Sequence, residues 1–273
     1  GNRYDYSTYI GFGPKCVKSV IQTADDLKKV NCLPGNYGPL GEQLKIVSEI
    51  RKRVGSEVPL IQTVFSPLAI LLNLTGTRMI GRYREAARAD SPIVDYIQKN
   101  PDGMHHALRA ISFTLTDYIK RLLEAGADGI FYASIGLARE GYLRYMEWEI
   151  FSRKYDLEIL NPFCGAFTIL HTCGIFANPQ RFADYPVSAL HWAQSAPGNP
   201  TFETSRQWLG SVCAMGGVDE RLFGTGAAQE IGRQARQAVS RNKGFPFFLA
   251  PECSASPDSL PEEYLELRNA VEL

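Results

Sequence analysis

The chain has 273 residues, and its 29 basic and 29 acidic side chains cancel to a formal charge of zero, which speaks against a broad nucleic-acid surface. Hydrophobic residues make up 45% and charged ones 21%, the composition of a packed globular chain, with no run near the roughly 18–20 apolar residues of a membrane span. Six cysteines in this length exclude a small disulfide-stapled scaffold.

The first residues, Gly1 to Tyr6, contain no apolar signal region, so the expectation is a cytoplasmic protein with reduced thiols. Thr23 followed by Asp26 reads as a capped helix start. Residues 40–54 place Leu44, Ile46, Val47 and Ile50 near helical spacing. Residues 57–65 predict a strand ending at Ser66-Pro67. A helix over 104–123, stopped at Gly126, leads into a strand over 127–133. The pattern then recurs: helix 142–155 and strand 165–171, short helix 178–185 and strand 187–192, short helix 204–209 and strand 211–215. A helix over 225–242 is acidic early and basic late, which suits its dipole. The last strand covers 245–250, and residues 259–262 cap a final helix.

Six apolar strands, near residues 60, 130, 168, 189, 213 and 248, alternate with helices, the pattern of parallel βαβ units. No GxGxxG follows any of them, so a dinucleotide-binding open sheet has no support. The expected fold class is α/β, a (β/α)8 TIM barrel forming one domain over residues 1–273. The first 55 residues are too few for two regular βα units, so the N-terminal part is expected to be irregular or missing. No Gly-, Pro- or Ser-rich linker divides the chain.

In such a barrel the loops after the strands carry the site. Those loops hold Ser66, Ser134 and Glu140, His171-Thr172-Cys173-Gly174, His191 and Gln194, residues 216–221, and Pro251-Glu252-Cys253. His171 and Cys173 are two apart on an extended segment, so both side chains fall on one side. Cys253 follows another strand on the same face. One imidazole and two thiolates form a soft set that prefers zinc. Three protein ligands and an open fourth position are the arrangement of a catalytic zinc. A thiol entering that position would lose its proton and could attack a methyl group.

The competing reading is plain packing: any strand end can carry His-x-Cys, and free cysteines are commonly small core residues, as expected for Cys213. Cys16, Cys32 and Cys164 have no evident partner. His191 fits a fourth ligand, a substrate contact or a packed histidine. Asp219 and Arg221 are candidate substrate contacts that could equally pair with each other or cap a helix. Ser134 and Tyr132 complete the candidates for substrate binding, Tyr132 being equally a packing residue. His105 and His106 read as helix surface or helix packing.

From around residue 40 to the end, the segments Leu123-Glu124-Ala125-Gly126-Ala127-Asp128-Gly129, Leu170-His171-Thr172-Cys173-Gly174, Phe182-Ala183-Asp184-Tyr185-Pro186-Val187, Gly216-Gly217-Val218-Asp219 and Ala250-Pro251-Glu252-Cys253 resemble the uroporphyrinogen decarboxylase superfamily. The resemblance implies a (β/α)8 barrel and one of two chemistries. The decarboxylases strip acetate carboxylates from a tetrapyrrole without a metal. Their tyrosine and histidine positions fall here at Asn73 and Cys253, and their early arginines and aspartate are not recognisable. The corrinoid-dependent methyltransferases carry an HxC and a later cysteine as zinc ligands, which His171, Cys173 and Cys253 match. That branch implies zinc, a corrinoid on a partner protein, and a small thiol as methyl acceptor. An acid of some relatives falls here at His191, which makes a His/Cys/His/Cys set conceivable. Two alternatives stand beside this reading: a lyase of the uroporphyrinogen decarboxylase type acting on a tetrapyrrole, and a non-catalytic corrinoid- or tetrapyrrole-binding protein. A homodimer is compatible with all three, and neither a nucleic acid nor a membrane is an expected partner.

Overall fold

The computed structural model describes residues 1–10, 13–77, 83–84, 88–139 and 141–271. The chain opens with an antiparallel hairpin, β1 (Arg3–Ile10) and β2 (Gly13–Lys18), followed by α1 (Pro39–Val54). The sequence signalled no strand in the hairpin. Asn2 fastens it: its amide donates to the Asn73 carbonyl at 2.6 Å and its Oδ1 accepts from the Val20 amide at 2.8 Å.

The central sheet starts at β3 (Ile61–Phe65), followed by α2 (Pro67–Leu74). Ser66 both caps α2 and donates its amide to the Ala133 carbonyl, so the strand end turns directly into a helix. After α3 (Pro92–Lys99), the long α4 (Pro101–Glu124) is capped by Asn100, whose side chain accepts from the Gly103 amide. It ends at Gly126, where φ of 103° requires glycine.

β4 (Gly129–Ile135) leads to α5 (Tyr145–Trp148), a π-helical segment Glu149–Arg153 and α6 (Lys154–Leu160), in place of one continuous helix. Then come β5 (Phe167–Thr172), β6 (Ala189–His191), α7 (Phe202–Leu209), β7 (Cys213–Val218), α8 (Ala228–Arg241), β8 (Phe247–Pro251) and α9 (Pro261–Asn269).

β3 to β8 pair in parallel and in sequential order, the order of a (β/α)8 barrel. Among the described residues β3 and β8 do not pair with each other, and the hairpin forms its own sheet. The six-stranded sheet is nevertheless strongly curved. β5 and β8 are separated by β6 and β7, which in a flat sheet would hold them about 14 Å apart at the usual strand spacing. Yet the Phe167 and Phe248 rings meet at 5.8 Å, and Cys253 Sγ lies 3.5 Å from His171 Nε2. The strands wrap around a packed interior, as in the expected barrel. No helix of the described residues is long and apolar enough to cross a membrane.

Candidate metal centre

Register fixes where the candidate ligands sit. Ala133, His171, His191 and Met215 lie at one level across β4 to β7. The rings of His171 and His191 stand 4.7 Å apart, and Phe131 packs against both, at 5.5 Å and 5.6 Å. Alternation then brings Cys173 to the same side as His171, one step past β5.

The backbone there is held in place by the neighbouring strand end. The Cys173 amide donates to the Ile135 carbonyl at 3.1 Å. Ile135 itself has φ of 51°, a strained conformation for a β-branched residue at the end of β4.

Cys253, just beyond β8, completes the group. Its sulfur is 3.5 Å from His171 Nε2 and 3.6 Å from Cys173 Sγ, and all three ligand atoms lie within 4.8 Å of one another. A tetrahedral zinc, about 2.3 Å from sulfur and about 2.0 Å from nitrogen, separates its ligands by roughly 3.5–3.8 Å. The two close separations therefore match a zinc centre. His171 and Cys253 are buried and Cys173 is half-buried. His171 Nδ1 is buried with no hydrogen-bond partner among the described residues, which leaves Nε2 as the nitrogen facing the sulfurs.

The other candidates fall in different places. His191 is buried, and its Nε2 lies 2.8 Å from the Pro251 carbonyl. A carbonyl only accepts, so Nε2 carries the proton, and Nδ1, buried with no partner among the described residues, keeps its lone pair. Burial, reinforced by the neighbouring His171, pushes His191 down to about 3, so it is neutral at ordinary pH.

Tyr132 points away from the trio toward the helices, where its hydroxyl donates to Asp156 at 2.6 Å. Ser134 is buried and its hydroxyl has no partner among the described residues. Asp219 and Arg221 bind each other through Nε at 2.9 Å and Nη2 at 2.6 Å, and Asp219 also caps the short turn that follows. Glu140 lies outside the described residues. Cys213 is half-buried, while Cys32 and Cys164 are exposed. His105 packs on Phe151 and contacts Tyr155, and His106 contacts the Val30 carbonyl.

Two charged residues beside the trio were not singled out in the sequence. Glu252 is buried, accepts from the amide and hydroxyl of Ser195, and is pushed up to about 7 by burial. With Ser195, Asp219 and Arg221 it lines a polar cavity of about 290 Å³ between the ends of β6, β7 and β8.

Arg139 is the second. It is 1% exposed, and a short turn after β4 returns it over the end of β5. Its Nε donates to the Cys173 carbonyl at 3.0 Å and its Nη1 to the Arg84 carbonyl at 3.1 Å. Burial lowers the pKa of its guanidinium, and the nearby Cys173 and Cys253 oppose that shift. The one signal in the sequence was its place after the apolar run Ile135-Gly136-Leu137-Ala138, which foretells burial.

The profile of a family described as "Uroporphyrinogen decarboxylase (URO-D)" matches residues 1–272. Among curated relatives, a methylcobamide:CoM methyltransferase of Methanosarcina acetivorans is 19% identical over 244 residues, spanning 88% of this chain and 66% of that protein. A uroporphyrinogen decarboxylase of Pseudomonas fluorescens is 28% identical over 122 residues, 44% of this chain and 31% of that protein. The chain thus spans less than two thirds of the length of either. Among solved structures, a methyltransferase from Methanosarcina mazei superposes with a TM-score of 0.78 at 19% identity, covering all of this chain and 75% of that one. A B12-independent methionine synthase from a Shewanella species gives 0.54 at 12% identity, over 84% of this chain and 64% of that one.

Proposed function

Because the chain belongs to the uroporphyrinogen decarboxylase family, we propose that it is a zinc-dependent methyltransferase-like enzyme, moving a methyl group from a corrinoid carried by a partner protein to a small thiol. The observation that carries this reading is the convergence of His171 Nε2, Cys173 Sγ and Cys253 Sγ at separations that fit one tetrahedral ion. Methyltransferases among its relatives support it.

His171, Cys173 and Cys253 would hold the metal. Bound there, zinc would supply Lewis acidity that keeps an acceptor thiol in its thiolate form. The chain's own residues do the rest. Phe131 packs its ring on His171 and fixes its orientation. The buried positions of His171 and Cys253 keep bulk water from the ligands. The strained Ile135 carbonyl fixes the Cys173 backbone. His191, outside the group whose ligand atoms lie within 4.8 Å of one another, stands beside it as an uncharged imidazole.

The lyase reading is weaker. Decarboxylation of a tetrapyrrole needs cationic side chains facing the substrate carboxylates. In the polar cavity Arg221 is paired with Asp219 and Arg233 with Glu230, so of the arginines lining it only Arg241 stands outside those pairs, one cation for a substrate with several carboxylates. Incubation with uroporphyrinogen should therefore give no product with fewer carboxylates.

Metal analysis tests the main reading. Protein purified under reducing conditions should carry one zinc per chain, and Cys253→Ser should lose most of it. A wild-type chain without stoichiometric zinc would remove the basis of the assignment.

A further inference from the structure

Arg139 is a fully buried cation whose place in the fold is built rather than incidental. The glycine at Gly136 makes room for it, since a Cβ there would lie 2.7 Å from Arg139 Nε. Taking a guanidinium out of water costs several kcal/mol unless charge and hydrogen bonds answer it. Two backbone carbonyls, those of Cys173 at 3.0 Å and Arg84 at 3.1 Å, accept from it. Cys253 lies within its electrostatic reach. The guanidinium thus sits against the Cys173 end of the trio, and the apolar ring of Phe131 covers the imidazole side.

The charges of the centre give this cation a task. Two thiolates, a neutral imidazole and a divalent ion sum to zero. A neutral fourth ligand leaves that sum unchanged, whereas an incoming thiolate adds one negative charge inside a largely buried site. A permanently protonated guanidinium cancels that charge. Arginine is suited to this because it does not lose its proton in proteins.

We propose that Arg139 is a positioning residue that sets the ligand preference of the His171, Cys173 and Cys253 centre, holding Cys173 in place and favouring an anionic sulfur over a neutral ligand in the open position. The inference rests on the metal-centre reading above and narrows it to a thiolate-selecting site.

The test uses cobalt(II) as a spectroscopic stand-in for zinc in the full chain. 2-Mercaptoethanol serves as the ligand that binds as an anion and imidazole as the neutral one. Their affinities are read from the visible and near-ultraviolet bands of the cobalt protein. The ratio of thiol to imidazole affinity should fall by about 10-fold or more in Arg139→Met, within the range typical of losses around a metal centre. Arg139→Lys, which keeps the charge, should restore most of the ratio. A merely structural role would weaken both ligands together and leave the ratio unmoved, and that result would overturn the proposal.

If Arg139→Met does not fold, Arg139→Gln, which keeps an amide donor for the Cys173 carbonyl but not the charge, decides. Its thiol-to-imidazole ratio should also fall by about 10-fold, and an unchanged ratio would count against the proposal. Failure of the wild-type chain to take up cobalt at all would instead defeat the metal centre itself, which separates the two readings.

Discussion

Asp156 sits in the helix layer outside the sheet, fully buried, and accepts from three hydroxyls: Tyr132 at 2.6 Å, Ser152 at 3.0 Å and Tyr185 at 3.1 Å. Burial outweighs those donors and raises the carboxyl to about 6, from 3.8. A folded value above the unfolded one means stability that is fully present below the unfolded value and is lost as pH rises through about 6. Between pH 4 and pH 7 that loss amounts to about 2 kcal/mol. Asp156→Asn removes the titration, so its stability relative to the wild type should rise by about that much over the same interval. Chemical denaturation at the two pH values measures it, and parallel pH profiles would refute the account. The same network explains why Tyr132 is not with the ligands: alternation along β4 sends Phe131 inward and Tyr132 outward. His171 and Cys173 were readable as a pair because a two-residue step on a strand puts both side chains on one side, and Cys253 was readable because it follows another strand on the same barrel face. Arg139 and Glu252 were not, because what makes them notable is burial beside sulfur, or against Ser195, across loops far apart in the chain.

Among the elements, those with a periodic face were the legible ones. α4 alternates apolar and polar turns over 24 residues, and both its start and its stop carry chemical signals. α2, by contrast, is the run Pro67-Leu68-Ala69-Ile70-Leu71-Leu72-Asn73-Leu74, apolar all round, buried on most sides and without a helical period to detect. The hairpin escaped notice although Arg3 to Ser7 alternate polar and aromatic residues, because the alternation breaks at Thr8-Tyr9-Ile10 and register shifts interrupt its pairing. The α4 cap allows a quantitative check. Asn100 accepts from the Gly103 amide at 2.9 Å and donates to the Ala24 carbonyl at 2.9 Å, so it both starts α4 and ties it to the turn before α1. Asn100→Ala should cost about 1–2 kcal/mol, the upper end reflecting the second bond. Urea midpoints at unchanged slope would show it, and a loss well below 0.5 kcal/mol would mean that water replaces the cap.

At the scale of the whole molecule, the centre joins the end of β5 to the segment after β8, positions 82 apart in sequence and three strands apart in the sheet. The curvature that brings them together is maintained among the described residues without pairing between β3 and β8. A metal held by both ends therefore acts as a clasp on the curved sheet, and its binding free energy adds to folding. A free ion concentration a thousand times the dissociation constant contributes about 4 kcal/mol. Chains of this size respond by roughly 2–4 °C for each kcal/mol. Zinc should accordingly raise the melting temperature of the chelator-stripped protein by about 10 °C, less whatever affinity the unfolded thiols have for the ion. Cys253→Ser should blunt the response, since it leaves two ligands on one strand end and none across the sheet. Calorimetric scans of both proteins with and without zinc make the comparison. If the mutant responds as strongly as the wild type, the ion is not bridging β5 and β8.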